Sequence, residues 1–334
     1  MLHIGYDKLL ARMLGTTRAE LNDILDNADE YFDELSLFNP EKPDKPRDVI
    51  SVRGKLRTFQ AKFYRKVLLR KLSVSPHSHG GVKGRNIKTN AKPHLNSRYI
   101  YKIDLQDFFP SIKQPRIYRL FNSKFACSPP VAKLCTRLCT YEHHLALGLI
   151  TSPILADQIM QSVDTRIGSM CDNAKLEYTR FVDDLTISGP FDFEESGIPD
   201  LINQILLESG LTPNPKKYVY GKIDNGISIT GIRKNQEGKI DVEEEYALKV
   251  EEQLEASKSL ELGNWPDLSC LYHTPAQIRG RIDHIKWINE SRGKKLLNIY
   301  KKINWSRVDE EARKLKLVVS KKRLTKKTKT LLVD

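Results

Sequence analysis

Residues 178 to 189 read YTRFVDDLTISG, in which two adjacent carboxylates, Asp183 and Asp184, separate two apolar runs. The β-branched and aromatic residues on either side predict two short strands joined near the acidic pair. An Asp-Asp pair alone says little: roughly one is expected by chance in a chain of this length and charge. Asp also suits turns, where it bonds its own backbone and tolerates unusual dihedrals. The pair acquires meaning only if further acidic residues converge on it.

Asp104 is such a residue. It closes YIYKIDL, a third apolar run with strand character. If the three strands are neighbours in one antiparallel sheet, three carboxylates meet. They could hold two Mg²⁺ ions about 3.5–4 Å apart, one activating an attacking 3′-hydroxyl and one stabilising a leaving pyrophosphate. Mg²⁺ is usually bound through few carboxylates plus substrate phosphates, so no richer ligand cage need be visible.

The chain of 334 residues is 40% hydrophobic and carries a formal charge of +13. That suffices for a sizeable core and two or three subdomains. The positive balance points to an anionic polymer, with nucleic acid the leading candidate. No apolar run approaches the eighteen or so residues of a membrane-spanning helix. The start, MLHIGYDKLL, lacks the pattern of a signal peptide, so a cytoplasmic location without membrane association is expected. Cys127, Cys135, Cys139, Cys171 and Cys270 form no paired framework, and no disulfides are expected. Cys135, Cys139 and His143 would line one helix face, but one straight helix offers poor tetrahedral zinc geometry, so they read as buried structural groups.

Thr17 and Glu20 have capping-box spacing and begin an acidic helix expected over 17–37. The prolines of FNPEKPDKPRD end it. KLRTFQAKFYRKVLLRKL reads as a helix with Leu56, Phe59, Phe63, Val67 and Leu68 inward and Lys/Arg outward. Residues 75–94, rich in Gly and His, read as a long functional loop. Helices are predicted in PPVAKLCTRLCTYEHHL, SPILADQIMQSVDTRIGSM and IPDLINQILLESG, and again from about 242. Asn225-Gly226 gives a hairpin signal.

Taken together, IDLQDFFPSI, FVDDLTI and LTPNPKK resemble, in order and spacing, three motifs of reverse transcriptases. The resemblance implies an α+β, right-hand polymerase fold with fingers, antiparallel-sheet palm and helical thumb. It places an N-terminal helical extension at 1–42, fingers and palm at 43–240, and the thumb with a basic C-terminal tail at 241–334. Asp104, Asp183 and Asp184 would be the catalytic metal ligands, with the carbonyl of Leu105 facing a metal. Phe109 falls at the family's steric gate against a ribose 2′-hydroxyl. Arg47 falls at the fingers arginine that clamps the triphosphate, which suits a bidentate guanidinium. Lys217 matches the lysine that assists the leaving pyrophosphate. One motif departs: where the family has Leu-Pro-Gln-Gly-x-Pro-x-Ser-Pro, this chain has LALGLITSP, with Leu147 for Gln and Ile150 for Pro. Gly148 remains beside the nucleotide.

NAKPH, Asn90 to His94, and ITG, Ile229 to Gly231, are similar to elements of retron reverse transcriptases. That resemblance implies a cytoplasmic bacterial enzyme that binds a cognate structured noncoding RNA and primes from an internal 2′-hydroxyl. It would use deoxynucleoside triphosphates to copy part of that RNA into multicopy single-stranded DNA (msDNA), in antiphage defence with a separate effector protein. Asn90, His94, Thr230 and Gly231 would contact RNA. In TPAQIRGRIDHIKWINESRGKKLLNIYKKINW, Ile278, Ile282, Ile285 and Ile288 would pack the thumb while Arg279, Arg281, Lys286 and Arg292 face a duplex. Trp287 and Trp305 suit thumb core better than base stacking. The basic tail after 312 would gain affinity by counterion release.

Two other readings stand beside this one. A group II intron-like or other defence-associated reverse transcriptase shares the motifs, although no maturase or endonuclease segment is expected after the thumb. A non-catalytic RNA-binding scaffold would explain the altered LALGLITSP, but an idle cluster of buried carboxylates is destabilising.

Overall fold

The computed structural model describes residues 2–38, 46–235, 237–264, 273–314 and 324–325. Cys270 and nearly all of the basic tail lie outside these residues. The chain forms two compact units, one of 1–86 with 97–221 and 323–334, the other of 87–96 with 222–322.

In the first unit, β1 (Phe32–Leu37) pairs antiparallel with β2 (Arg47–Val52). A second sheet holds β3 (Tyr99–Asp104), β4 (Glu177–Phe181), β5 (Asp184–Gly189) and β6 (Val219–Lys222), in the spatial order β4-β5-β3-β6. β5 runs antiparallel to both β3 and β4. The three apolar runs read from sequence are therefore neighbours. Tyr101, Ile103, Leu185 and Ile187 are buried between the sheet and its helices.

Helix Ser152–Asn173 begins with Pro153 in its first turn, where a missing N–H costs nothing, and packs against β4 and the helix Ile198–Glu208. Helix Gly54–Phe63 continues through a wider turn, Tyr64–Leu68, into Leu69–Lys71. It buries the five predicted side chains, Leu56, Phe59, Phe63, Val67 and Leu68, at about 1.5–3 kcal/mol each.

The N-terminal helices Asp7–Leu14 and Arg18–Asp26 join the same core through Leu10, Leu14, Leu21 and Ile24. Thr17 caps the second by accepting from the Glu20 amide at 3.1 Å. Helix does not run on to 37, as the sequence suggested: Ala28–Tyr31 form a 3-10 turn and Phe32–Leu37 become β1. Pairing with the next strand, β2, makes that strand, and helical periodicity does not report it.

In the second unit, helical turns Ile87–Ala91 and Lys92–Asn96 accompany a hairpin of β7 (Ile232–Lys234) and β8 (Ile240–Val242). Helices Glu244–Glu261, Pro275–Ile288, Glu290–Lys302 and Trp305–Lys314 follow. Thr274 and Gln277 form a capping box on the second of these, and Ile278, Ile282, Ile285 and Ile288 are buried as predicted. Asn225-Gly226 is not a hairpin turn. It closes a 3-10 turn, Ile223–Asn225, and the tight turn lies at Thr230-Gly231, where Ile229 and Ile232 exchange backbone hydrogen bonds of 2.7 and 3.0 Å.

Candidate active site

Phe181 pairs with Asp184 across β4 and β5, leaving Val182 and Asp183 as a two-residue turn. Such turns match the twist of the flanking strands only with positive φ. Val182 accordingly has φ +62°, a conformation that β-branched residues disfavour. Asp184 stands opposite Asp104 in the β3–β5 register. The Leu105 amide donates to the Asp183 carbonyl at 3.2 Å, tying the end of β3 to the turn. Asp104, Asp183 and Asp184 are thus brought together at one end of the sheet, across its two inner strands.

The segment Leu211–Lys217 runs beside them. Gln106 N donates to Thr212 O and Asn214 N donates to Asp104 O, both at 2.8 Å. The Asn214 side chain reaches Asp104 Oδ2 at 3.4 Å, and Lys217 Nζ lies 2.8 Å from Asp104 Oδ1. Lys217 is thus an ion-pair partner of Asp104, and Asn214, which also contacts Asp104, was not singled out as a site residue. Burial, reinforced by Asp184 and Asp104, pushes the Asp183 carboxyl up to about 6. Burial and the Asp104 charge likewise raise Asp184.

This electrostatic deficit is one a divalent cation would relieve. Among the described residues, no group of three or more His, Cys, Asp or Glu is by itself arranged to hold a metal ion. The three aspartates form an open set of hard oxygen donors, which fits Mg²⁺ completed by water and phosphate. Leu105 is paired with Pro213, which has no N–H to offer.

Beneath the turn lies support that sequence reasoning missed. Arg180, 1% exposed, is held by Asp157 and Asp164 of helix Ser152–Asn173. The signal was present: two acidic residues seven apart in an otherwise apolar helix face, and a charged residue inside an apolar strand. Gly80 abuts the same turn, and a Cβ there would meet Val182 Cγ2 at 2.5 Å and Val182 N at 2.7 Å.

Phe109, partly buried, lies in the short helix Phe108–Ser111 just after β3, its ring 5.4 Å from that of Phe108. Arg47 is exposed at the start of β2. Gly148 has φ +107°, and a Cβ there would lie 2.2 Å from Ile50 O; the Leu147 carbonyl accepts from Ile50 N at 2.8 Å. LALGLITSP thus runs against β2, with Leu147 and Ile150 exposed at 42% and 38%.

In the second unit, two of the expected RNA-contact residues lie inside. Asn90 and His94 are fully buried, and Asn90 Nδ2 donates to Thr230 Oγ1 at 3.5 Å. The two short motifs meet as an internal joint, with positive φ at Thr230 and Gly231 shaping the turn. Arg292 is bound by Glu244 at 2.8 Å, Glu251 at 3.1 Å and Asp241 at 3.6 Å, and Arg281 lies over the Tyr246 ring at 4.4 Å. Both are thus engaged within this unit. Arg279 pairs with Asp283 on a partly exposed surface, and Lys286 is also partly exposed. Trp305 packs on Tyr300, but Trp287 is 47% exposed, with Lys88 Nζ 5.1 Å from its ring centre.

Helix Pro129–Cys139 ends before His143, which lies near Gln114. Cys127, Cys135, Cys139 and Cys171 are free and buried, and burial raises all four thiols, Cys139 and Cys171 to about 12. Among the described residues no helix is long and apolar enough to cross a membrane.

The sequence family described as Reverse transcriptase (RNA-dependent DNA polymerase) matches residues 40–237. The chain belongs to that family, and its mixed helices and antiparallel sheet accord with a right-hand polymerase fold. Retron Ec86 reverse transcriptase of Escherichia coli is 33% identical over 198 residues, 59% of this chain and 61% of that protein. Retron Mx65 reverse transcriptase of Myxococcus xanthus is 31% identical over 186 residues, 51% of this chain and 44% of that protein. The chain thus spans less than two thirds of either relative. Among solved structures, a telomerase from Candida tropicalis with a fragment of telomeric RNA has a TM-score of 0.46 at 13% identity, covering 90% of this chain and 62% of that one.

Proposed function

We propose that the protein is a retron reverse transcriptase: an RNA-directed DNA polymerase that copies part of its own noncoding RNA into msDNA. The observation that carries this reading is the convergence of Asp104, Asp183 and Asp184 at one end of the sheet, with Lys217 on Asp104. Asp104, Asp183, Asp184 and the Leu105 carbonyl would hold two Mg²⁺ ions. When bound, these would activate the attacking hydroxyl and offset the charge of the triphosphate.

The remaining work falls to the chain itself. Asn214 orients Asp104 through its backbone and its side chain. Lys217, 60% exposed and therefore free to turn from Asp104, supplies a proton and positive charge to the departing pyrophosphate. Phe109 excludes a ribose 2′-hydroxyl, Arg47 clamps the triphosphate, and Gly148 lets the nucleotide-side backbone lie against β2. In this reading residues 1–42 form an N-terminal helical extension, residues 43–240 supply fingers and palm, and residues 241–334 the thumb with its basic tail. The exposed face of the thumb helices, including Arg279 and Lys286, meets the duplex, and the basic tail adds affinity for RNA.

Similarity to retron enzymes supports a structured RNA partner, priming from a 2′-hydroxyl, a cytoplasmic site of action and a role in antiphage defence with a separate effector. The test is to purify the protein from cells carrying its native locus and treat the bound nucleic acid with RNase, DNase and a 2′–5′ debranching enzyme. DNase-sensitive material joined to RNA, with mobility changed by debranching, is the expected result. RNA alone would favour the scaffold, and unbranched DNA another class of reverse transcriptase.

A further inference from the structure

We propose that Arg180 is a positioning residue for the catalytic turn, acting through a buried ion cluster with Asp157 and Asp164. The inference rests on the polymerase reading above and names a residue that reading does not use.

A guanidinium is costly to bury unless its donors are met. Arg180 is 1% exposed, and its donors are met in two directions. Toward the helix, Nε and Nη2 form a fork on Asp164 at 2.9 and 2.7 Å, and Nη2 also reaches Asp157 Oδ1 at 2.9 Å. Toward the site, Nη1 donates to the Val182 carbonyl at 2.9 Å. That carbonyl belongs to the positive-φ residue immediately before Asp183.

Each anion is fixed from a second side. Tyr178 donates its hydroxyl to Asp164 Oδ1 at 2.8 Å, and the Ser75 amide donates to Asp157 Oδ2 at 3.2 Å. The Arg180 backbone also binds the loop beneath the turn: its N–H donates to His77 O at 2.8 Å, and its carbonyl accepts from His79 N at 2.7 Å. One residue therefore joins helix Ser152–Asn173, the loop 75–80 and the Val182-Asp183 turn. A cluster serving only the core would need the carboxylates alone. The bond to Val182 is the one that reaches the site, and it holds a backbone conformation that Val would otherwise leave. A lysine has no planar fork and cannot bridge both carboxylates and the carbonyl together.

The test compares wild type, Arg180→Lys and Asp157→Asn, with Arg166→Gln as a control that removes an arginine from an exposed pair with Glu208. Two readouts are taken on the folded full-length protein: hydrogen exchange of the 181–184 amides without metal, and kcat and KM for DNA synthesis on an RNA template. In both test variants the turn amides should exchange faster. Arg180→Lys should lower kcat by about tenfold or more with KM for the primer-template little changed, as expected for misplaced reacting groups. Arg166→Gln should match wild type in both. Wild-type exchange and kcat in a folded Arg180→Lys or Asp157→Asn would overturn the proposal. An inactive wild type would instead sink the polymerase reading, while the exchange measurement would still decide whether Arg180 holds the turn.

Discussion

Asp104 and Asp184 are direct cross-strand partners on β3 and β5, so two carboxylates of like charge face each other with Asp183 one residue away. Side chains so paired lie about 4.5–5.5 Å apart at Cβ, and like charges there destabilise a sheet. The arrangement is understandable as a cation site and costly otherwise.

Stability without metal should report that cost. The folded-state value of about 6 for Asp183 lies above its ordinary 3.8, so the folded protein holds a proton that the unfolded chain releases. That contribution is complete below about pH 4 and is lost as pH rises through 6, a difference on the order of 2–3 kcal/mol. In EDTA, Asp183→Asn should melt higher than wild type at pH 7.5, with the gap closing toward pH 4. Added Mg²⁺ should raise only the wild type appreciably. Thermal melts across pH check this, and a gap independent of pH would contradict it.

Gly80→Ala should damage activity more than folding. Its Cβ would press on the Val182 amide and on the Phe181 carbonyl carbon, at 2.7 and 3.1 Å, so the loop or the turn must move. A shift approaching 1 Å at the turn is expected to lower kcat by about 10²-fold. Steady-state kinetics beside a melting curve would show whether the loss lies in the turn.

Gly293→Ala should act in the second unit. Helices Pro275–Ile288 and Glu290–Lys302 approach so closely that a Cβ at 293 would lie 2.2 Å from Lys286 Cα. Backbone cannot yield as a side-chain tip can, so the helices must part, at about 1–3 kcal/mol. Denaturant melts should show the loss, whereas Gly280→Ala, with nothing within 4 Å of its Cβ, should cost little.

Phe109→Ala should relax sugar selection. If this ring faces the ribose, its removal should raise ribonucleotide incorporation relative to deoxynucleotide by about 10-fold or more, measured as the ratio of kcat/KM values. An unchanged ratio would make Phe109 a packing residue beside Phe108.

Much of the site was legible because it is local. YIYKIDL and YTRFVDDLTISG carry strand composition around their carboxylates, and the helix containing Phe59 and Phe63 shows its buried face by periodicity alone. What escaped was non-local. β1 depends on β2, so Phe32–Leu37 looked like more helix. Arg180 drew no reading from sequence because its partners, Asp157 and Asp164, lie in another element. Asn90 and His94 were expected at RNA from the resemblance of NAKPH to a retron element, and a short motif does not report that both side chains are buried, Asn90 against Thr230. The ion pairs of Arg292 with Asp241, Glu244 and Glu251 were likewise not legible, because those partners lie in other elements of its unit.

The most direct test of the central claim is primer extension on an RNA template with deoxynucleotides and Mg²⁺, comparing wild type with Asp183→Asn/Asp184→Asn. The wild type should synthesise DNA, and the double variant should lose about 10³-fold or more while keeping its fold and its RNA binding. Equal synthesis by both proteins would contradict the assignment of these carboxylates as the catalytic centre.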